Sequence, residues 1–412
     1  MKYILVIGDG MADDPLEALS GKTPLEYANI PVADDLARRG VLGTALTIPA
    51  GEPAGSDTAF LCIFGCDPRV YNKGRAPLEA AGAGVAVPPG NVAYRCNMVA
   101  LEDGPMVFSE KKILSHSGGD VEGEEALALM EALFADPRFA AEMERAGLLI
   151  HAFPSFRHIA IQAGADLTGF QAAPPHQHLD EVIAPILPSG SDLAATLLSL
   201  MEVAHEILDR HPVNQTRRAA GKLPANGIWF WAEGTAVELP QFVDVFGHTG
   251  GVISAVPLCH GIGALAGLRP ISVPGATGKL HTNYEGKVEA AVKSLLENGD
   301  FVTLHVEAPD ECTHNGDLEG KLQAIEWIDS RVLHYLLPCL EEAGIKEYRL
   351  LYMADHRTLM STRGHDGAPV PFLLYDSRGG EGSGLPFTEA NAAKGQYVAD
   401  GTTILNLLFA ES

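Results

Sequence analysis

Short β-rich runs that end in Gly, Asp or Glu recur along the chain, each ahead of a helix-patterned segment. A strand that returns parallel to its neighbour needs a crossover long enough to hold a helix, so this alternation predicts an α/β fold with a mostly parallel sheet flanked by helices. The clearest strands are Tyr3 to Ile7, Gly227 to Trp231, Phe301 to Glu307 and Tyr348 to Met353. Most of them lead into polar or acidic residues at their carboxyl ends, which is the edge where open α/β sheets bind ligands. Helical periodicity marks Asp34 to Arg39, Gly123 to Leu133, Asp192 to Leu208, Gly286 to Glu297 and Leu318 to Leu337.

Between about Pro88 and Ala184 the texture changes. Strand-like pieces (Ala93 to Ala100, Leu148 to His151, His158 to Gln162) surround one helix, and Pro-rich sequence closes the region at Ala173-Pro174-Pro175. The expectation is a small α+β cap over residues 88–184 inserted into a core made of residues 1–87 and 185–412.

Charge narrows the function. With 29 basic against 53 acidic side chains the net charge is −24, which repels nucleic acid and anionic lipid surfaces. A phosphorylated small molecule is repelled by the same field unless bound metals or placed arginines offset it. The opening apolar run is too short for a signal-peptide core. The later apolar stretch Val252 to Leu268 is broken by Pro257, His260 and glycines, so a buried strand and helix are expected there rather than a membrane span. Six cysteines stand apart without CxxC pairs, as free thiols do in a reducing compartment, and a cytoplasmic location is expected.

Four segments place metal-ligand residue types at predicted strand ends. Asp9 caps the first strand. The Gly/Pro-rich loop Gly51 to Thr58 runs into the apolar helix Ala59 to Phe64, with Ser56 at the helix start. Asp310 and His314 lie four apart on one helical face. Asp355 and His356 follow the strand Tyr348 to Met353, and His365 comes nine residues later. Singly, each has an ordinary reading as a turn, an N-cap or a solvated pair. Seven such groups converging on one sheet edge are costly unless a metal compensates their charge, and carboxylate plus imidazole suits a divalent ion.

This ordered set, Asp9, Ser56, Asp310-x-x-x-His314, Asp355-His356 and His365, resembles the metal site of the alkaline phosphatase superfamily. More narrowly, the chain resembles the archaeal-type cofactor-independent phosphoglycerate mutases and a bacterial branch proposed to be homoserine kinases. The likeness includes Gly74-Arg75-Ala76-Pro77-Leu78-Glu79, Tyr94-Arg95-Cys96-Asn97, Phe156-Arg157-His158, Lys222-Leu223-Pro224-Ala225-Asn226 and Thr282-Asn283-Tyr284-Glu285-Gly286-Lys287. It implies two divalent ions (Mn²⁺ or Zn²⁺, with Mg²⁺ and Co²⁺ as alternatives). One would be held by Asp310, His314 and His365, the other by Asp9, Asp355, His356 and Ser56. It also implies Ser56 as nucleophile, with a phosphoserine intermediate, and Lys287 and Arg157 in catalysis. Arg75, Arg95, Asn97, His158, Arg217 and Asn226 are implied as substrate contacts.

The first expectation is therefore interconversion of 2- and 3-phosphoglycerate, with a small phosphorylated molecule as partner; a homo-oligomer is compatible with this. One departure favours a second reading. Where the mutases carry an Arg-Gly pair after Pro-Ala-Asn, this chain has Trp229-Phe230-Trp231-Ala232-Glu233, which resembles the homoserine kinase branch and could attract an ammonium group. A phosphatase, in which water attacks the phosphoserine, is a third. No Walker-type Gly-x4-Gly-Lys-Ser/Thr is present, and His281, where the family usually has Asp, is left without a role.

Overall fold

The computed structural model describes residues 1–297 and 299–410. Two compact units divide the chain: Met1–Asn72, Ala81–Ala83 and the chain from Glu238 onward form the first, Lys73–Ala80 and Gly84–Val237 the second. Among the described residues no helix is long and apolar enough to cross a membrane.

The first unit is built on an eight-stranded sheet, in the order Gln396–Val398, Val41–Ala45, Val370–Asp376, Tyr348–Met353, Lys2–Gly8, Phe301–Val306, Gly250–Ile253, Arg269–Ile271. Val370–Asp376 runs antiparallel to both its neighbours, and the other pairings are parallel. This is the mostly parallel α/β sheet expected from the alternation. Helices such as Pro31–Arg39, Tyr284–Glu297 and Leu318–Trp327 flank it. The central strand is apolar at every position from Ile4 to Ile7, all fully buried, because both faces of a parallel sheet are covered. Ile7 pairs with both His305 and Met353, so the carboxyl ends of three neighbouring strands lie level and release Asp9, Glu307 and Asp355 side by side.

The long helix predicted over Leu318 to Leu337 is interrupted. An α-helix over Leu318–Trp327 widens into a π turn at Ile328–Leu333 and resumes over His334–Glu342. Pro338 sits inside the last segment, where it offers no N–H to the turn before it. Asp329 within the wide turn accepts the backbone N–H of Val32 (3.2 Å) and Ala33 (2.7 Å), satisfying the first turn of the helix Pro31–Arg39.

The second unit is an antiparallel sheet in the order Ile113–Ser115, Asn91–Leu101, Arg157–Ala163, Leu148–His151, with Gly227–Thr235 also paired to Asn91–Leu101. The expected cap is therefore larger than residues 88–184. The segment 185–237 belongs to it rather than to the core, because the strand Gly227–Thr235 completes this sheet and the helix Asp192–Asp209 supplies apolar side chains to its core. Arg95, Asn97, Arg157, Trp229 and Trp231 share one face by register, and Tyr94, Cys96, His158 and Phe230 share the other. The helix Arg75–Gly82 packs Ala76 and Ala80 against Ala93, Ile159 and Ile161, bringing Arg75 and Glu79 to the face of Arg95.

Candidate metal centre

Asp9 leaves the opening strand and is followed by Gly10 in the left-handed region at φ +59°. A Cβ at Gly10 would lie 2.3 Å from Thr358 Oγ1 and 2.9 Å from Asp310 Oδ1, so only glycine lets these segments close up. Ser56 opens the helix Ser56–Ile63, with Gly55 as its N-cap and no side chain capping the backbone N–H groups of its first turn. Asp310 and His314 lie on the helix Ala308–His314, and His365 lies opposite Thr358 on the small hairpin Arg357–Leu359 with Gly364–Asp366. All seven predicted ligands thus belong to the first unit.

They converge in two groups. His356 Nε2 is 3.4 Å from Asp9 Oδ1, 3.4 Å from Asp355 Oδ2 and 3.2 Å from Ser56 Oγ. Each carboxylate has one oxygen held by the protein: Asp9 Oδ2 by His305 Nε2 at 3.0 Å, Asp355 Oδ1 by the Gly10 N–H at 3.2 Å. The other oxygens, Asp9 Oδ1 and Asp355 Oδ2, are buried without a partner. Burial and the charges of Asp355, Asp310 and Glu307 push the Asp9 carboxyl well above its usual range. Two orphaned, mutually repelling oxygens facing one imidazole nitrogen are what a cation compensates.

In the second group His314 Nε2 lies 3.2 Å from Asp310 Oδ2, His365 Nε2 lies 3.3 Å from Asp310 Oδ1, and the two imidazole nitrogens are 3.0 Å apart. His314 Nδ1 donates to Arg363 O (2.8 Å) and His365 Nδ1 to Ala54 O (3.1 Å). These bonds put the ring protons on Nδ1, so two Nε2 lone pairs face each other and need a proton or a metal between them. Without metal the proton wins: Asp310 raises His314 to about 9 despite burial. Donor atoms of Asp310, His356 and His365 also lie within 4.8 Å of one another, as do those of Asp9, Asp355 and His356, so His356 stands between the two groups. Ligand spacings of about 3.4 Å are those around an ion bonded at about 2.1 Å, and the nitrogen and carboxylate donor set suits a divalent metal.

Behind the ligands stands a layer of which sequence reasoning named Lys287 alone. His305 is fully buried and donates from both nitrogens: to Asp9 through Nε2, and through Nδ1 to Ser254 Oγ at 3.0 Å. Ser254 Oγ passes this on to Glu307 Oε1 at 2.9 Å, and Lys287 Nζ donates to Glu307 Oε2 (2.6 Å) and to the His305 carbonyl (2.8 Å). Burial opposes a charge on His305, but Cys259 and Glu307 raise it to about 10. On the other flank Lys321 Nζ donates to Asp13 Oδ2 (2.8 Å) and Thr358 O (2.6 Å), while Thr358 Oγ1 donates to Asp310 Oδ1 (2.7 Å). A signal was there for the first of these. Thr303 and His305 put two polar residues on one face of a strand buried on both sides, and Glu307 follows at its end, which costs free energy unless they are used.

The remaining predicted residues divide. Arg75, Arg95 and Arg157 lie near one another in the second unit. Glu79 takes Arg75 Nε at 2.6 Å and Arg95 Nε at 3.1 Å, and Arg157 is close enough to help depress its carboxyl. Asn97 is on the same sheet face. The structure does not bring the other three there. Arg217 is 3% exposed and donates to the carbonyls of Gly118, Gly119 and Leu223 and to Glu125. Asn226 is fully buried and ties Leu101 N and O to its own side chain. His158 points to the opposite sheet face, accepts the Phe153 N–H through Nδ1 at 3.1 Å, and is kept neutral by burial, which lowers it to about 4. Lys287 is fully buried, with its ammonium on Glu307. Trp229 donates to the Ala173 carbonyl at 2.8 Å, a packing role, and His281 lies 5.4 Å from the ring of Trp327.

Comparisons with known proteins identify the family. The family model described as 2,3-bisphosphoglycerate-independent phosphoglycerate mutase matches residues 37–214. A protein of that name from Methanosarcina acetivorans is 42% identical over 395 residues, 96% of this chain and 95% of its own. A probable one from Geobacter sulfurreducens is 41% identical over 412 residues, 99% of each. Among solved structures, the PH0037 protein of Pyrococcus horikoshii aligns with a TM-score of 0.77 at 29% identity, over 100% of this chain and 99% of that one. The cofactor-independent phosphoglycerate mutase of Thermoplasma acidophilum aligns at 0.61 and 25%, over 99% of both. With its likeness to these relatives spanning nearly the whole chain, this protein belongs to the 2,3-bisphosphoglycerate-independent phosphoglycerate mutase family.

Proposed function

We propose that this enzyme interconverts 2-phosphoglycerate and 3-phosphoglycerate by carrying the phosphoryl group on Ser56. The observation that carries the reading is the position of Ser56 Oγ, 3.2 Å from His356 Nε2 beside the two orphaned carboxylate oxygens, in a chain whose curated relatives bear the mutase name. Those names give the homoserine kinase alternative no support.

Asp310, His314 and His365 would hold one divalent ion, and Asp9, Asp355 and His356 the other. When bound, such ions neutralise the phosphoryl oxygens and favour the ionised form of a nearby hydroxyl. Mn²⁺ and Zn²⁺ both suit the donors.

Ser56 then attacks the phosphorus in line. A bond forms between Ser56 Oγ and phosphorus, the bond from phosphorus to the substrate oxygen breaks, and the serine proton is returned to that oxygen. The helix Ser56–Ile63 aims backbone N–H groups at the transferred phosphate. Glycerate is retained, and its neighbouring hydroxyl takes the phosphoryl group back in the reverse of the same step. No water or second phosphate donor enters the balance. Within the second unit Arg75, Arg95 and Arg157 gather guanidinium charge, and guanidinium forks match carboxylate and phosphate oxygens. Lys287 acts at one remove, through Glu307 and His305 on Asp9.

The test is ³¹P NMR on the Mn²⁺-loaded protein with 3-phosphoglycerate alone, and separately with homoserine and ATP. Appearance of 2-phosphoglycerate in the first, abolished in Ser56→Ala, is the expected result. Phosphohomoserine in the second with nothing in the first would overturn the reading, and inorganic phosphate as the main product would make the enzyme a phosphatase.

A further inference from the structure

Thr358 lies in the short strand Arg357–Leu359, directly opposite His365, and is fully buried. Its backbone is held on both sides: the N–H donates to the Ala12 carbonyl at 3.2 Å, and its own carbonyl accepts Lys321 Nζ at 2.6 Å. Lys321 is itself fixed, since its buried ammonium donates to Asp13 Oδ2 at 2.8 Å, and the same oxygen takes the Met360 N–H at 3.0 Å. Gly10, by lacking a Cβ, leaves the space in which the Thr358 hydroxyl sits. A β-branched side chain on a backbone pinned in this way has little freedom at χ1, which fixes the position of Oγ1.

That position lies between a member of each ligand group. Thr358 Oγ1 is 2.7 Å from Asp310 Oδ1 and 3.2 Å from His356 Nδ1. The partners set the direction of both bonds. An ionised carboxylate only accepts, so the hydroxyl hydrogen goes to Asp310. His356 Nδ1 also faces the Arg357 carbonyl at 3.3 Å, another atom that only accepts, so the ring proton belongs on Nδ1 and the hydroxyl accepts from it. Nε2 is then left with its lone pair, turned toward Ser56 Oγ and the orphaned oxygens of Asp9 and Asp355. With the proton on Nε2 instead, Nδ1 would compete with Asp310 for the one hydrogen that Thr358 can give.

We propose that Thr358 is a positioning residue that couples the two metal groups: its single hydroxyl orients Asp310 in one and His356 in the other, so that filling either group prepares its neighbour. The inference rests on the two-ion reading above and not on the identity of the substrate. When His356 Nε2 serves as a ligand, the ring proton stays on Nδ1 and the hydroxyl hydrogen stays on Asp310. When Asp310 is held as a ligand, the hydroxyl keeps a lone pair toward His356. Coupling of this kind is reciprocal. Lys321 and Asp13 act at one remove, by holding the strand that carries the hydroxyl.

The experiment is calorimetric titration of Mn²⁺ into metal-free, full-length protein for wild type, Thr358→Val, Thr358→Ser and Thr358→Ala. Wild type should take up two ions. Thr358→Val keeps the shape and loses the hydroxyl, so its first binding step should weaken about tenfold and its second about 100-fold, lowering the ratio of the two affinities about tenfold. Thr358→Ser, which keeps the hydroxyl, should stay within about threefold of wild type at both steps. Thr358→Ala repeats the loss of the hydroxyl should the valine variant not fold. Unchanged affinities or an equal loss at both steps in the variants without the hydroxyl would overturn the inference and leave the two-ion reading intact. A Thr358→Ser protein as weak as those variants would do the same. Uptake of fewer than two ions by the wild type would overturn both.

Discussion

His305 Nε2 and Asp9 Oδ2 meet at 3.0 Å across two adjacent parallel strands, with both residues buried. The contact occupies one oxygen of Asp9 and leaves Oδ1 turned toward His356. His305→Ala should free the carboxylate to rotate and lower Mn²⁺ affinity about 10- to 100-fold, the usual effect of removing a group that orients a ligand. His305→Gln, which keeps one donor, should recover part of it. Calorimetric titration of Mn²⁺ into metal-free protein gives the answer, and unchanged affinity would remove His305 from the site.

Metal removal exposes the repulsion that the site holds. Burial and Asp355 raise the Asp9 carboxyl, and a carboxyl with a raised native value favours the fold only while protonated, so this contribution is lost as pH rises through that value. Asp9→Asn should therefore stabilise the metal-free protein by about 1–2 kcal/mol, more at pH 8 than at pH 5, while abolishing activity. Adding Mn²⁺ should stabilise the wild type by about 2.7 kcal/mol at a hundred times the dissociation constant, and the variant much less. Thermal unfolding with and without metal measures all three.

Arg217 holds the second unit together rather than holding substrate. Its donors go to three backbone carbonyls and Glu125 at 2.6 to 3.0 Å, a fork that Lys cannot copy. Arg217→Lys should lose about 2–4 kcal/mol in urea unfolding with KM changed less than twofold. A large KM effect with intact stability would return it to the substrate contacts.

His158 is lowered to about 4 by burial, so it binds a proton on unfolding throughout the interval from about 6.5 down to 4. The unfolded state holds more protons there, and stability must fall as pH falls. The loss through His158 amounts to about 3 kcal/mol across that window. His176, also near 4, adds in the same direction. In His158→Gln the slope of stability against pH between 6.5 and 4 should be shallower, though not flat, in a denaturation series.

The convergence of the candidate ligand residues was legible because its signals are local. Asp9 and Asp355 each follow a strand end, and Asp310 and His314 sit one helical turn apart, so strand and helix geometry alone predict where the side chains point. The extent of the second unit was not. The strand Gly227–Thr235 pairs with Asn91–Leu101 from far along the chain, and its alternation fits a core strand equally well. Arg217 and Asn226 show the same limit from another side: in sequence, a polar side chain turned inward onto carbonyls looks like one turned outward to a ligand.

The central claim is that Ser56 carries the phosphoryl group. Mn²⁺-loaded enzyme mixed with 3-phosphoglycerate, quenched in acid within the turnover time and digested, should yield the peptide containing Ser56 with one phosphate attached, seen by mass spectrometry and absent from Ser56→Ala. Turnover by the wild type with no phosphate on that peptide, or turnover retained by Ser56→Ala, would contradict the account.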